Sequence, residues 1–370
     1  MSQVALVAAS CCAVQIGYLE TQNQPNSLGA TLGLIKALNS PANKQGFLGQ
    51  SLMGDGAPVS GSACKLQLKY VAPDCVASTD VNDLCEDATG VTSSPVKTTE
   101  FTFTMSTDNR GKKMHWTEEQ FLCACEGKDF VVQATTDAKM KRILIDEEKA
   151  LLASAFACLG KYCDDTDSTT DTKTANIFNA DGTHAQPAGW DIVDSQLKNM
   201  GFTGRPIIVG GDYLRKYINL TTFSGTGANS VGALQNLIGP NGPYDFYYSS
   251  EFDKVISPLA PTPGNYAMVL APGVMQMLEY LKFDSDKLKR KTPTNIRTVI
   301  SKDVDGMSHK FDYILLYDEA CEAWKQVINR MSATWCMPAD DYCTDVVGNG
   351  RFLIKLDCGT PGCDTSCTPA

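Results

Sequence analysis

The sequence of 370 residues predicts an α+β fold, in which strands and helices occupy separate stretches of the chain. Two early segments, KLQLKYVA and TTEFTFTM, alternate apolar and polar residues with the period of a half-buried strand. A single long stretch, from about 136 to 161, instead spaces its apolar residues three and four apart, as one face of a helix does. Further strand patterns follow Pro293, and no internal repeat or clean linker divides the chain.

The first 60 residues are predicted to form an extended N-terminal arm. They are rich in Asn, Gln, Gly, Ser and Ala and have little apolar surface with which to fold alone. No Lys or Arg precedes the short apolar stretch near Met1, as a secretory signal would require. A lipid-bearing cysteine at Cys11 is also disfavoured, because Ala8 stands where a larger aliphatic residue is expected. We therefore interpret this stretch as part of a mature arm.

The two alternating strands predict a long hairpin that projects from the body over residues 61–110. Their connection is full of turn-forming residues. The residues predicted to share a face are Leu66, Leu68 and Tyr70 in the first strand and Phe101, Phe103 and Met105 in the second.

Helices are predicted in five places, two of which are GWDIVDSQLKNMG and the segment that follows Gly210 and Gly211. WTEEQFLCACEG begins with Thr117 as a candidate N-cap, and the long helix has Gly160 as a candidate C-cap. The apolar face of the long helix consists of Met140, Ile143, Leu144, Leu151, Ala155 and Leu159. In YAMVLAPGVMQMLEYLKF we predict a buried strand, an Ala-Pro-Gly turn and a helix.

Late in the chain, NIRTVISKDVDGMSHKFDYILLYDEA predicts two strands joined by a tight turn at Asp305 and Gly306. AWKQVINRMSATWCMP and GRFLIKLDC supply further strands. An aromatic strand is predicted at YDFYYS.

A glycine pair interrupts the stretch GRPIIVGGDYLRKYI, where an apolar strand meets a helix-like segment. Phosphate-binding loops use the same order of elements, but a dinucleotide site requires G-x-G-x-x-G, and only Gly210 and Gly211 are present. Asp212 would lie at the helix N-terminus, where its carboxylate can cap the helix and repels an anion. We therefore predict an architectural corner capped by Asp212.

Composition excludes several classes of function. The net charge is −10, with a pI near 4.9, and nucleic-acid binding as the main role would need clustered Lys and Arg. The densest basic run, DKLKRK, is typical of a solvated face. No apolar stretch reaches the 18 residues expected of a membrane span, so no membrane partner is predicted.

The chain contains 15 cysteines, an odd number, so at least one thiol is unpaired or bonds between chains. No C-x-x-C occurs, which removes the usual zinc ribbon. Cys158, inside LLASAFACLG, is expected to be a free thiol that packs as a small hydrophobe. The denser sets, Cys123 with Cys125 and the tail with Cys358, Cys363 and Cys367, leave metal binding or inter-subunit disulfides open beside a loosely ordered tail.

No catalytic, cofactor-binding or metal-binding residue is predicted. The sequence has no Walker loop, no G-x-S-x-G elbow and no H-E-x-x-H, and DDTDSTTDTKT lacks the glycine and closing Glu of a calcium loop. The three histidines, His115, His184 and His309, are far apart and are expected at the surface or as caps. Asp318, Glu319 and Glu322 lie together in YDEACEAW and are expected to be solvated.

The order of parts resembles the major capsid proteins of tailed bacteriophages, the Hong Kong 97-type fold. An arm, a projecting hairpin and a long helix precede a compact α/β region and late returning strands. GRPIIVGGDYLRKYI, GANSVG and YAMVLAPGVMQMLEYLKF are similar to the central domain of that family, and FDYILLYDEACEAW followed by WCMPADDY is similar to its closing strands. The similarity spans nearly the whole chain.

The resemblance implies a structural subunit, not an enzyme, that self-assembles as pentamers and hexamers into an icosahedral or prolate head shell. The implied parts are the arm (1–60), the extended loop (61–110), a peripheral domain (111–185) with its spine helix at about 136–161, an axial domain (186–290), strands returning to the peripheral domain (291–345), and a C-terminal segment with the Cys-bearing tail (346–370). The implied location is the virion, after assembly in the host bacterial cytoplasm.

The resemblance also implies portal, scaffolding and decoration proteins as candidate partners, and packaged DNA enclosed without sequence-specific binding. Some family members crosslink a Lys to an Asn, but no residue here matches those positions. A long charged helical leader is missing, which favours a separate scaffolding protein or assembly without one. We also hypothesise that thiols near subunit contacts oxidise after lysis and lock the shell.

Three alternatives stay open. One is another shell protein, such as an encapsulin-like compartment, which would share the fold. The second is an enzyme whose site is assembled from dispersed residues such as His184, Asp191 and Glu322. The third is a secreted binding module, suggested by the cysteines and by the sequon at Asn219 and opposed by the missing signal.

Overall fold

The structure is a computed structural model, and it describes residues 31–43, 65–71, 96–117, 128–159, 174–176, 193, 197–198, 202, 204–215, 244–260, 264–281, 290–292, 295–338 and 350–356. The chain forms two compact units. The first comprises Met1–Leu32, Phe103–Ala150 and Leu278–Ala333, and the second comprises Gly33–Thr102, Leu151–Met277 and Thr334–Ala370. The predicted α+β class is confirmed, since both helices and sheets are present.

The described helices with defined bounds are α1 (Gly33–Leu38), α2 (Lys128–Ala157) and α3 (Phe252–Leu259). The described strands are β1 (Lys65–Val71), β2 (Val96–Thr102), β3 (Asn109–Thr117), β4 (Thr174–Asn176), β5 (Ile207–Gly210), β6 (Asp245–Tyr248), β7 (Tyr266–Leu270), β8 (Met275–Tyr280), β9 (Arg290–Thr292), β10 (Asn295–Val304), β11 (Met307–Asp318), β12 (Ala323–Cys336) and β13 (Arg351–Lys355).

A six-stranded sheet supplies the strands of the first unit. Its order is β3-β12-β11-β10-β9, and β8 pairs with β12. The predicted turn between β10 and β11 is confirmed: Asp305 and Gly306 both have positive φ, at 54° and 77°, as a two-residue hairpin turn requires. Residues of one face, among them Phe311 and Ile328, are fully buried, whereas Lys310 and Lys325 in alternate positions are exposed. The sheet therefore has one inner face.

Helix α2 confirms the predicted long helix and shifts its limits. All six residues predicted for its apolar face are buried. With 30 residues it is about 45 Å long. It runs from Lys128 to Ala157 instead of from about 136 to 161. The added first turns include Val132, and β-branched residues such as Val132 and Thr136 have a lower helix propensity, so local sequence did not indicate the earlier start. The Thr136 hydroxyl donates to the Val132 carbonyl at 2.6 Å within the helix, which satisfies that polar group.

The second unit contains a mixed five-stranded sheet in the order β4-β13-β7-β5-β6. Every residue of β7 is fully buried, as expected for a central strand covered on both faces. The predicted strands β6 and β13 are confirmed.

Strands β1 and β2 form the predicted hairpin, as a separate antiparallel two-stranded sheet. Leu66, Leu68 and Tyr70 are buried as predicted, and Lys69 between them is exposed. Phe103 is buried, but Met105 is 49% exposed. The shared face predicted for the second strand is therefore wrong at Met105, because β2 ends at Thr102 and Met105 lies in the turn before β3.

Part of the predicted arm is packed within the second unit. Helix α1 is buried at nearly every residue and lies against β5 and β6. A Cβ on Gly33 would approach the backbone carbon of Tyr248 to 2.3 Å, so the helix touches the strand backbone. The prediction of an extended arm with little apolar surface is wrong for residues 31–43, because Leu34, Ile35 and Leu38 give this segment a buried apolar face. The rest of the arm lies outside the described residues.

The helix predicted after the Ala-Pro-Gly turn is a strand, β8. Met, Gln, Leu and Glu favour a helix in isolation, but five of the six residues of β8 are buried, which a strand with both faces covered achieves and a helix with one apolar stripe does not. Strand β3 and helix α3 were not predicted. In β3 only Trp116 is buried. The sequence of β3 therefore lacks the alternation of apolar and polar residues that would have indicated a strand.

Two predicted helix caps have no counterpart in the described structure. Thr117 is the last residue of β3, and the residues after it, like Gly160, lie outside the described part of the chain. Among the described residues, no helix combines the length and apolarity needed to cross a membrane.

Candidate functional site

The glycine corner that follows β5 is confirmed as architectural. A Cβ on Gly210 would lie 2.6 Å from Leu214 Cδ2, and a Cβ on Gly211 would lie 2.2 Å from Asp253 Oδ2. Both distances are shorter than a Cβ contact allows, so a side chain at either position would displace Leu214 or the Asp253 carboxylate. The following residues, Asp212 to Arg215, are helical.

The carboxylate that caps this corner is not the predicted one. Asp212 is exposed and is itself the first helical residue. Asp253, from α3, accepts a hydrogen bond from the Tyr213 N–H at 3.3 Å. The prediction of an Asp212 cap is therefore wrong, because α3, which was not predicted, brings a second carboxylate to the same helix start. A negative charge occupies the position that a phosphate would need, so the corner is not an anion site.

A second buried centre in the same unit is Asn43, which is fully buried. Its Nδ2 donates to the carbonyls of Leu38 at 3.2 Å and Met275 at 2.8 Å. Its Oδ1 accepts from the Gly273 N–H at 3.0 Å, and its carbonyl accepts from Gln276 Nε2 at 2.8 Å. One side chain thus ties the α1 segment to the turn between β7 and β8.

A buried polar centre of the first unit is the guanidinium of Arg330 on β12. Its Nε donates to both carboxylate oxygens of Glu147 on α2, at 2.9 and 2.8 Å. Its Nη1 donates to the Lys310 carbonyl at 2.8 Å, and its Nη2 donates to Glu279. The side chains of Arg330 and Glu147 are 2% and 1% exposed. The guanidinium also lies over the Phe311 ring, 5.7 Å from its centroid.

The electrostatics of this group follow from its partners. Burial acts to lower the pKa of Arg330, but Glu147 and then Glu279 outweigh it, so the pKa lies above its ordinary value. Arg110 on β3 shows the opposite balance: burial, the largest influence, lowers its pKa. Arg330 is therefore a permanent buried cation whose charge is neutralised by two carboxylates.

Three further contacts fix α2 to the same sheet. Asp137 binds Lys302 at 2.6 Å, Asp146 binds Lys112 at 3.3 Å, and Thr136 accepts a hydrogen bond from Gln326. From Thr136 to Glu147 these contacts span about 16 Å along the helix axis. The helix is thereby held against β3, β10 and β12 at several points. Sequence reasoning missed this network because its partners are separated by long stretches of chain.

His309, expected at the surface or as a cap, is a buried residue of β11 that is 2% exposed. Burial first, and then the Arg330 guanidinium, lower the pKa of His309 to about 4. The expectation is wrong because His309 shares the inner face of the sheet with Phe311 and Tyr313. The period of two along HKFDY was the signal that could have placed it there.

Of the other residues that the sequence singles out, those that the structure describes do not come together in one place. His115 is exposed on β3, as expected. Asp318, Glu319 and Glu322 lie at the turn between β11 and β12, where Lys325 binds Asp318 and lowers its pKa. His184, Asp191 and Asn219 lie outside the described residues. The described side chains include no group of three His, Cys, Asp or Glu arranged to hold a metal.

Cys158 is not the free thiol that was expected. It forms a disulfide with Cys336, across a sequence separation of 178 and a Cα–Cα distance of 6.4 Å. The helical sequence around Cys158 gave no sign of a partner at the end of β12. Cys321, in the turn after β11, is a free and exposed thiol. The cysteines of the arm and tail, and Cys123 and Cys125, lie outside the described residues.

Comparison with known proteins gives structural similarities without sequence matches. No protein-family model matches the sequence, and no curated protein matches it either. A solved structure from Mycobacterium phage Che8 is 11% identical, with a TM-score of 0.44, over 88% of this chain and 92% of that chain. The capsid of Ralstonia phage GP4 is 8% identical, with a TM-score of 0.44, over 82% and 86%. The capsid of Staphylococcus phage Andhra is 8% identical, with a TM-score of 0.40, over 80% and 82%. Because these TM-scores are low, the similarities support no conclusion about the function of this chain.

Proposed function

We propose that this chain is a structural subunit that assembles with copies of itself into the head shell of a tailed bacteriophage, with a Hong Kong 97-type fold. On this proposal residues 1–60 are the arm, 61–110 the extended loop and 186–290 most of the axial domain. Helix α2 is the spine helix of the peripheral domain. No catalytic residue is assigned.

The observation that carries the proposal is the order and construction of the described elements. A hairpin that forms its own two-stranded sheet precedes a 30-residue helix, which is fixed along an antiparallel sheet by one buried ion pair and by further, partly exposed polar contacts. This is the order of parts that the sequence resemblance implies.

The construction suits a subunit that must resist mechanical stress. A long helix held at several points against a sheet resists displacement, and the Arg330–Glu147 contact among them lies in a dry interior, where breaking it is costly. The hairpin has the opposite character: Lys69, Thr98 and Glu100 are exposed polar residues on strands that pair only with each other among the described strands. Such strands offer unpaired edges to a neighbouring chain.

The proposed partners are further copies of the chain, arranged as pentamers and hexamers. Portal, scaffolding and decoration proteins, and enclosed DNA without sequence-specific binding, follow from the same proposal. The acidic net charge of −10 limits adhesion to packaged DNA. The proposed location is the virion, after assembly in the host cytoplasm.

Negative-stain electron microscopy of the purified full chain tests the proposal. We expect ring-shaped capsomers or closed polyhedral particles over a range of salt and protein concentrations. A discrete small oligomer under every condition would contradict it. An encapsulin-like compartment would also give closed particles, and nuclease-protected DNA inside particles from infected cells separates the phage head from a protein-filled shell.

A further inference from the structure

The bond between Cys158 and Cys336 joins the ends of the longest described helix and the longest described strand. Cys158 directly follows α2, and Cys336 is the last residue of β12. Both cysteines belong to the second unit. The bond therefore closes a loop that contains nearly half of the chain.

The backbone holds both cysteines in place independently of the bond. The Cys158 N–H donates to the carbonyls of Ser154 at 3.2 Å and Ala155 at 3.1 Å, and the next residue, Leu159, is buried. On the other side, Trp335 and Met337 are buried, and the Met337 N–H donates to the Val274 carbonyl at 3.0 Å. The two thiols would consequently stay adjacent in a folded, reduced chain.

The two cysteines are also only half-buried, so small thiols and disulfides reach them from solvent. From this geometry we propose that the Cys158–Cys336 pair is a redox-controlled staple: two thiols while the subunit is made and assembled, and a disulfide once the particle leaves the reducing cytosol. The cytosolic phase rests on the proposed function.

Closure is an exchange with a low-molecular-weight disulfide such as oxidised glutathione. The thiolate of one cysteine attacks the glutathione disulfide, forms a mixed disulfide and releases one glutathione thiolate. The second protein thiolate then attacks the protein sulfur of the mixed disulfide and releases the second glutathione. The two protons lost by the protein thiols are taken up by the two glutathione thiolates, so two electrons pass from protein to glutathione.

The staple changes stability because it restricts the unfolded chain, and the restriction grows with the length of the closed loop. For a sequence separation of 178 we expect closure to raise the melting temperature by about 5 °C or more. The folded structure needs no rearrangement, so closure should proceed on assembled particles as well as on free subunits.

The test uses the full chain in three forms: unchanged, with Cys158→Ser and Cys336→Ser together, and with Cys321→Ser. Cys321→Ser is the matched control, because it removes an exposed thiol that has no place in the staple. Cells are quenched in acid and alkylated, and the two cysteines are mapped by mass spectrometry. Purified protein is then melted after treatment with glutathione disulfide or with reductant.

We expect alkylated Cys158 and Cys336 in quenched cells and the disulfide after glutathione treatment. The redox-dependent shift in melting temperature should be equal in the unchanged chain and in Cys321→Ser, and smaller by about 5 °C or more in the double variant. A bond already closed in quenched cells would overturn the proposal, as would a double variant whose shift equals that of the unchanged chain, or no shift at all. Because melting needs no shell, failure of assembly would refute the proposed function while this result still decides on the staple.

Discussion

Replacing Arg330 by methionine is the perturbation whose cost the structure fixes most closely. The guanidinium makes both hydrogen bonds that neutralise Glu147, and the Glu147 side chain is only 1% exposed. Methionine fills a similar volume without charge, so the variant leaves Glu147 buried without its hydrogen-bonding partner, with Arg110 as the remaining cation that interacts with it. Glu279 also loses its partner but is 33% exposed and can turn to water.

Breaking a buried pair from one side costs about 3–5 kcal/mol, because the remaining charge keeps its desolvation penalty. We expect the free energy of unfolding of Arg330→Met to fall by about that amount. Replacing Glu147 by leucine in the same chain removes the stranded charge, so the double variant should recover most of the loss. The Arg330–Glu147 pair would then determine how α2 lies on the sheet and would contribute little to the net free energy of unfolding.

Urea-induced unfolding of the full chain provides the measurement. The matched control is Arg142→Met, which removes an i,i+4 ion pair with Asp146 from the same helix, where the Arg142 side chain is 50% exposed. That pair should contribute about 0.3–0.5 kcal/mol. Equal decreases in the free energy of unfolding for Arg330→Met and Arg142→Met would contradict the assignment of a buried charge left without its hydrogen-bonding partner at Glu147. A double variant as unstable as Arg330→Met would contradict it as well.

Three further predictions concern other buried groups. His309 is neutral in the folded chain, where its pKa is about 4, compared with 6.5 when it is exposed. As the pH falls, the unfolded chain therefore binds a proton before the folded chain does, which favours unfolding. The free energy of unfolding should drop by about 2 kcal/mol between pH 7 and pH 5 through this residue alone. Gly211→Ala forces a Cβ into the capping carboxylate and should lower the free energy of unfolding by about 1–3 kcal/mol in urea titrations. Asn43→Ala removes a hydrogen-bond partner from two buried carbonyls and from the half-buried Gly273 N–H, and should cost about 3 kcal/mol, seen as a lower melting temperature.

Each of these predictions has a control within the chain. The variant His309→Gln should lose that part of the pH dependence, and an unchanged slope between pH 7 and pH 5 would contradict the assignment. Asp212→Ala changes the exposed residue next to Gly211, so it should cost about 0.5 kcal/mol or less. Asn39→Ala changes a half-buried amide and should cost less than about 1 kcal/mol. Losses that match these controls would refute the packing arguments for Gly211 and Asn43.

The parts of the fold that sequence predicted are those with local causes. The turn at Asp305 and Gly306 follows from the left-handed conformations that these two residues adopt, and the flanking alternation fixes the register of β10 and β11. The apolar spacing of α2 likewise predicted its buried face, because periodicity is a property of neighbouring residues.

The parts that sequence did not predict depend on distant residues. Strand β8 has the composition of a helix, and burial of its residues by the rest of the unit decides otherwise. Glu147 and Arg330 are separated by 183 residues, and Cys158 and Cys336 by 178. No local sequence pattern therefore predicts the ion pair or the disulfide. At the glycine corner, sequence correctly required small residues, but the capping carboxylate comes from α3, forty residues away from Tyr213.

Cryo-electron microscopy of particles formed by the purified full chain tests whether this chain is a shell subunit. We expect closed shells in which copies of this 40.0 kDa chain form pentamers and hexamers, with α2 fixed to its sheet in every copy. A protein that stays a 40.0 kDa monomer at every concentration and salt condition would contradict it.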